Sequence, residues 1–374
     1  MATGASGKYW NNARLPGIVK HGILRRYLPL YLARTSSYDG RAFVIDGYAG
    51  RGRYDDGSLG SAGMMLEWAL TRKLDTRNPA DYQLRFFEKD PTSFAHLSSL
   101  VREFASKGVD VQAECADVLT RFGTVVGDAE GMPLFLFIDP TGVGLPYEDL
   151  VDALTRPRDT YNWPPTELLM NFSYEAVRRI GGHVTSPHGN AKTLKTLDNR
   201  LGGDWWQEHF ARGVSDDAVT EVVKGFITRL GTETGQRHVL SLPVRRQPHH
   251  KPVYSLVFAT RSPRGAWHFS DVAAKSVDEA RTAADDAAGA LPLETLAETE
   301  AGAVADIEQN ILDLVEKRGA IVVGDHPTEV LKGHLGEIRE LVVRRAIKNL
   351  HKRGLTPSDG KGGKTENLVV LPNP

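Results

Sequence analysis

The chain has 374 residues, 46 Lys and Arg against 47 Asp and Glu for a net charge of −1, and a hydrophobic share of 41%. That length and apolar content suffice for two or more domains with real cores, and near-neutrality means that any attraction to nucleic acid must come from local patches. The single cysteine, Cys115, excludes an intramolecular disulfide and a cysteine zinc cluster and fits a reducing cytoplasm, the location expected here. No apolar stretch approaches a membrane span, and the start Met-Ala-Thr-Gly-Ala-Ser lacks a secretory apolar core.

Residues 16–34 place Ile23, Leu24, Tyr27, Leu28, Tyr31 and Leu32 at helical spacing, with Pro29 expected to bend that helix. Phe43-Val44-Ile45-Asp46 follows, an apolar run that stops at an acid, and then a glycine-rich turn, Gly47-Tyr48-Ala49-Gly50-Arg51-Gly52-Arg53. Such a run reads as a buried parallel strand, whose carboxyl end is where an open α/β sheet binds ligand. The glycines would let a ligand approach the backbone. Residues 60–74 read as the next helix.

Leu84 to Asp90 is a second strand ending in acids, followed by a helix over 92–107. Glu88, the first acid after the apolar run, is placed to accept hydrogen bonds from ribose hydroxyls. Val111 to Asp117 is a third strand, with Asp117 placed to meet an adenine amine; an N-cap or turn role is an equal alternative for it. Leu134 to Ile138 is the fourth and most hydrophobic, and Asp139-Pro140-Thr141-Gly142 closes it. Residues 147–156 read as a helix, 167–172 as a fifth strand, and 173–235 as mixed and helical, with Trp205-Trp206 expected in the core. Lys251 to Gly265 returns to strand character and turns, as the last antiparallel hairpin of such a sheet would. His249-His250 has no matching ligand cluster, so no metal site is expected.

Between 278 and 308 the chain is alanine-rich and acidic, with Asp285, Asp286, Glu294, Glu298 and Glu300, and reads as a linker or spacer helix. The last seventy or so residues differ again. Helices are expected over 304–317, 327–335 and 338–353, then strands at 355–358 and 368–371 around a basic glycine turn. Three helices and such a hairpin make the pattern of a winged helix-turn-helix. Its third helix and wing carry Arg339, Arg344, Arg345, Lys348, Lys352, Arg353, Lys361 and Lys364, a stripe suited to phosphate contacts. Of these, Arg344, Arg345, Lys348, Lys352, Lys361 and Lys364 are the candidate nucleic-acid contacts. A basic face for a protein partner is the alternative. The expected division is 1–295 for the sheet domain and 300–374 for the winged helix.

The order Asp-x-aromatic-x-Gly-x-Gly over Asp46–Gly52 is not the dinucleotide fingerprint. It resembles motif I of class I S-adenosylmethionine (SAM) methyltransferases, in the form common among nucleic-acid methylases. The chain over most of 15–275 also resembles the bacterial three-Cys-motif partner protein (TcmP) family, through Lys20-His21-x-Ile23-Leu24-x-x-Tyr27-Leu28, Asp46 to Tyr54, Gly60-Ser61, Ile138-Asp139-Pro140-x-Gly142, Asn171-Phe172 and Tyr254 to Thr260. Thr141 stands where that family often has an aromatic.

These resemblances imply a Rossmann-like α/β sheet with helices on both faces, SAM as cofactor and a partner protein with three cysteines. The cofactor would lie against Asp46, Gly47, Tyr48, Ala49, Gly50, Gly52, Glu88 and Asp117, with Lys20 and His21 nearby on the resemblance alone. Asp139-Pro140 would occupy the catalytic place, its acid accepting from an exocyclic amine. Thr141-Gly142 cannot stack on a flipped base, so Tyr147 or Phe172 is the candidate platform, core packing being the other use of Phe172. Arg51 would pair with the methionine carboxylate or a substrate phosphate, and Arg53 beside it is a further candidate for substrate or nucleic-acid binding. Two functions stay open: a SAM-dependent methyltransferase acting on nucleic acid, and a non-catalytic accessory protein that binds nucleic acid or a partner.

Overall fold

The structure, a computed structural model, describes residues 15–35, 40–77, 79–160, 163–245, 250–288 and 295–373, with backbone alone at 15–16 and 284–288. The side chains of Asp285 and Asp286, together with His249 and Glu294, thus lie outside the described residues.

Two compact units emerge, one containing Leu28–Arg261 and the other Leu15–Tyr27 with Ser262–Pro374. Helix α1 (Leu15–Thr35) belongs to both and continues through Pro29. The sequence reading divides the chain near 295–300; the units instead divide at Arg261, because Trp267 is buried among the apolar side chains of the C-terminal helices.

In the first unit the elements alternate: β1 (Arg41–Asp46), α2 (Ser61–Lys73), β2 (Asp81–Phe87), α3 (Pro91–Ser106), β3 (Asp110–Glu114), α4 (Phe122–Gly127), β4 (Leu134–Ile138), α5 (Tyr147–Thr155) and β5 (Thr166–Ser173). Then come α6 (Tyr174–Thr185), α7 (Ala191–Leu201), α8 (Asp216–Thr234), β6 (His238–Arg245) and β7 (Pro252–Thr260). Among the described residues seven strands form one sheet in the order β3-β2-β1-β4-β5-β7-β6. The pairs among β1 to β5 are parallel, and β7 runs antiparallel to both β5 and β6.

Every residue of β4 is buried, which is why its sequence is continuously apolar. Phe43, Ile45, Leu134, Leu136, Leu168 and Met170 share one core with side chains of α4 to α8. On the opposite face, Phe135 meets Tyr31 of α1 with ring centroids 5.4 Å apart. Strand β6 escapes the sequence reading: it lies at the sheet edge and carries Pro243, a residue tolerated in a strand mainly at such an edge.

The second unit holds α9 (Pro263–Ala288), α10 (Leu296–Arg318), β8 (Ile321–Val322), α11 (Pro327–Val330), α12 (Leu341–Lys352) and β9 (Val369–Val370). The acidic stretch read as a linker or spacer is thus helical at both ends. A capping box of Thr295 and Glu298 starts α10 before the predicted helix. The second predicted helix shrinks to the single turn of α11.

The predicted pairing of 355–358 with 368–371 is corrected. Strand β9 pairs with β8. Pro357 has no N–H to give a ladder, and the segment is instead tied by side chains: Thr356 Oγ1 donates to Leu371 O at 2.7 Å, and Leu371 N donates to Ser358 Oγ at 3.0 Å.

Candidate functional site

Strand order reverses between β1 and β4, and in open α/β sheets ligands bind beyond the carboxyl ends of strands at such a switch point. The glycine turn sits there. Gly47 N donates to Phe137 O at 3.0 Å and Ala49 N to Phe87 O at 2.9 Å, which anchors the turn to β4 on one side and β2 on the other.

Asp46 is completely buried. Its Oδ1 accepts from Tyr48 N at 3.0 Å and its Oδ2 from Ser61 Oγ at 2.6 Å. A buried carboxylate needs such donors, so Asp46 holds the turn in shape from within. Gly50 and Gly52 have φ of +60° and +74°. A Cβ on Gly63 would stand 2.5 Å from Gly52 O, so α2 approaches the turn as closely as it does only because Gly63 lacks one. The sequence reading names neither the Ser61–Asp46 bond nor Gly63. Only the Gly60-Ser61 pair hinted at the first.

Glu88 follows β2 at the same edge. Its Oε1 accepts from Asp90 N at 2.7 Å, and its Oε2 makes no hydrogen bond among the described residues. Asp90 caps α3, and its carboxyl is held below its ordinary range chiefly by the hydrogen bond from Ser93 N. Asp117 caps the short turn after β3 by accepting from Leu119 N at 3.2 Å, and Lys89 Nζ lies 3.8 Å from its Oδ2. Burial first, and then the negative charge of Asp117, raise the Tyr48 hydroxyl well above its ordinary pKa; Arg200 opposes this and Asp139 adds to it.

Asp139 and Asn171 stand just past the β4–β5 register pair Ile138–Met170 and at its next position. Asn171 Nδ2 donates to Asp139 Oδ1 at 3.1 Å, while Asn171 Oδ1 is buried without a partner. Pro140 is buried. The platform reading of Tyr147 is corrected, and Phe172 takes the core packing read as its alternative: the two are 3% and 6% exposed, and both rings pack on Phe226. Trp206 is likewise core.

Arg51 and Arg53 fold back on their own loop, Arg51 Nη1 lying 3.4 Å from Asp55 Oδ1 and Arg53 Nη1 donating to Gly57 O at 3.2 Å. Lys20 is buried and, like His21, belongs to the second unit.

The basic stripe of the second unit divides by use. Arg344 points inward and donates to the carbonyls of Gly360, Gly362 and Gly363 and to Thr365 Oγ1, so it holds the 359–365 loop. Arg339 pairs with Glu300, Arg353 with Glu308 and Lys361 with Asp359. Arg345, Lys348, Lys352 and Lys364 are exposed and form no ion pair among the described residues. The first three lie at spacings of three and four on one face of α12.

Among the described residues no cluster of His, Cys, Asp and Glu could hold a metal ion, and no helix is long and apolar enough to cross a membrane.

No family model matches the chain, and no curated protein matches its sequence. Among solved structures, a protein from Legionella pneumophila is similar at 12% identity, over 67% of this chain and 86% of that one, with a TM-score of 0.36. The small RNA methyltransferase HEN1 is similar at 11% identity, over 64% of this chain and 25% of that one, with a TM-score of 0.31. The strand order itself defines the class: a mostly parallel sheet with an antiparallel β7 is a Rossmann-like methyltransferase fold.

Proposed function

We propose that this chain is a SAM-dependent methyltransferase that acts on nucleic acid. The observation that carries the reading is the Asp46–Gly52 turn, braced from inside by Ser61 and set at the β1/β4 switch point. The residues present fit the cofactor: Glu88 has its Oε2 without a hydrogen bond among the described residues and would take a ribose hydroxyl, Asp117 would meet the adenine amine, and Tyr48 would lie against the cofactor. SAM supplies an already activated methyl group, so the protein's work is positioning and exclusion of water. Asp139 would accept from the acceptor amine, with Pro140 setting the backbone beside it.

The second unit is read as a winged helix that engages substrate phosphates through Arg345, Lys348, Lys352 and Lys364. Membership of the TcmP family, a three-cysteine partner protein and a cytoplasmic location belong to the same proposal.

A second reading, a non-catalytic binding protein, is favoured by one observation: the burial of Tyr147 and Phe172 leaves neither candidate ring to stack on a base beside Asp139. Calorimetric titration with SAM and S-adenosylhomocysteine, followed by transfer of labelled methyl to DNA and RNA, separates the two. Cofactor binding with label in nucleic acid supports the enzyme. Cofactor binding with no label in DNA, RNA or protein supports the binding protein.

A further inference from the structure

Strand β5 is apolar from Leu168 to Phe172 except at Asn171. Met170 and Phe172 on either side of it are buried in the core, and asparagine is depleted in strands, so neither packing nor propensity accounts for it here. The backbone at this place is held from both sides. Met170 pairs with Ile138 of β4, and Asn171 itself with Leu256 of β7. A side chain on such a strand is placed more precisely than one on a loop.

The amide of Asn171 has one partner among the described residues. Its Nδ2 donates to Asp139 Oδ1 at 3.1 Å, while its own Oδ1 is buried and meets no donor. The orientation of the amide follows from that contact: turned round, its oxygen would face a carboxylate oxygen, and two acceptors repel. Asn171 therefore breaks the local pattern of its strand and makes its single side-chain contact with an acid of the candidate site. Departures from local rules of this kind are found at functional positions.

We propose that Asn171 is a positioning residue for methyl transfer: its amide fixes the rotation of the Asp139 carboxylate, so that the acid meets the acceptor amine in one orientation. This rests on the nucleic-acid methyltransferase reading. In the transfer the lone pair of the amine nitrogen forms the new N–C bond, the C–S electron pair leaves on the sulfur, and the nitrogen gives up a proton to water by way of Asp139. Misorienting Asp139 costs rate. It leaves cofactor binding alone, which the same reading assigns to Glu88, Asp117 and the glycine turn.

The test uses the full chain, methyl-labelled SAM and mixed-sequence DNA and RNA. Asn171→Ala should lower kcat by roughly 10- to 100-fold, the order of loss when a reacting group is displaced by about an ångström. KM for nucleic acid and the affinity for S-adenosylhomocysteine, the latter by calorimetry, should stay at the parent's values. Asn171→Asp keeps the shape of the side chain but at neutral pH has no hydrogen to donate, so its kcat should fall at least as far. That variant separates the donor from the volume it fills. Parental kcat in either variant overturns the assignment while the methyltransferase reading stands. So does a raised KM with parental kcat, or S-adenosylhomocysteine affinity lost in step with kcat. A parent chain that binds no S-adenosylhomocysteine, or places no label in DNA or RNA, overturns that reading and this inference with it.

Discussion

Ser61 Oγ donates to Asp46 Oδ2 at 2.6 Å, and both residues are buried. One side chain at the start of α2 thus fixes the acid at the end of β1, and the glycine turn between them is closed into a rigid loop. Ser61→Ala removes that donor and leaves the carboxylate oxygen without it. Chemical denaturation should show a loss of about 1.5–3 kcal/mol, the range for a hydrogen bond to a charged group. SAM affinity should fall as well, because the turn loses its brace. Unchanged stability would mean that Asp46 is satisfied without Ser61.

Gly63→Ala tests the same turn from the helix side. Its Cβ would meet Gly52 O at 2.5 Å, and backbone cannot give way cheaply. We expect a loss of about 1–3 kcal/mol from overpacking, accompanied by weaker SAM binding. Gly302→Ala in α10 is the control. Nothing lies within 4 Å of its Cβ, so helix propensity alone should stabilise the chain by up to about 1 kcal/mol.

Glu88→Gln keeps size but removes the charge from a carboxylate whose Oε2 makes no hydrogen bond among the described residues. Calorimetry should show SAM affinity reduced by roughly tenfold, about 1.4 kcal/mol. Asp139→Ala should bind SAM like the parent and transfer no methyl group, since its contact is to the acceptor. Parental cofactor affinity in Glu88→Gln, or methyl transfer by Asp139→Ala, would reject these roles.

Glu300 is almost wholly buried, and Arg339 grips both of its oxygens, at 2.6 and 2.8 Å. Burial pushes the Glu300 carboxyl up, but the hydrogen bonds and charge of Arg339 outweigh it and leave the pKa below the ordinary value. A depressed folded pKa stabilises the fold above the unfolded value, about 4.3 for glutamate, and this stabilisation is lost as pH falls through the folded value. Arg339→Leu should destabilise the chain by about 2–3 kcal/mol at neutral pH, less than a fully buried pair because Arg339 is one-third exposed. The difference from the parent should shrink below pH 4, a trend that urea melts over a pH series would reveal.

Arg345, Lys348, Lys352 and Lys364 changed together to Gln should lower the salt slope for duplex DNA by up to about 3.6, at roughly 0.9 per lost phosphate contact. Arg344→Gln should do something different. It frees the carbonyls of Gly360, Gly362 and Gly363, so it should loosen the 359–365 loop and lower stability. Anisotropy and thermal melting distinguish the two effects. An unchanged slope in the fourfold variant would mean that this face meets protein.

The sequence by itself determined the first five strands and the acid-ended junctions of the first four. Burial on both faces of a parallel strand leaves a continuous apolar run, as in Leu134 to Ile138, and the acids that follow mark the ligand edge of the sheet. The order of elements then allows few topologies. Side-chain partnerships across that edge were another matter. The spacing of Asp46 and Ser61, or of Asp139 and Asn171, carries no period that would join them; they meet because crossover helices bring their strands and helix starts together. The same limit hid β6, whose Pro243 is acceptable only at an edge that the topology defines. It hid the pairing of β8 with β9, and the inward turn of Arg344, whose basic neighbours suggested a solvent-facing stripe. Composition and period report what a segment buries. Which distant group it meets is decided when the chain closes on itself, because only then do donors and acceptors far apart in sequence compete for the same buried place.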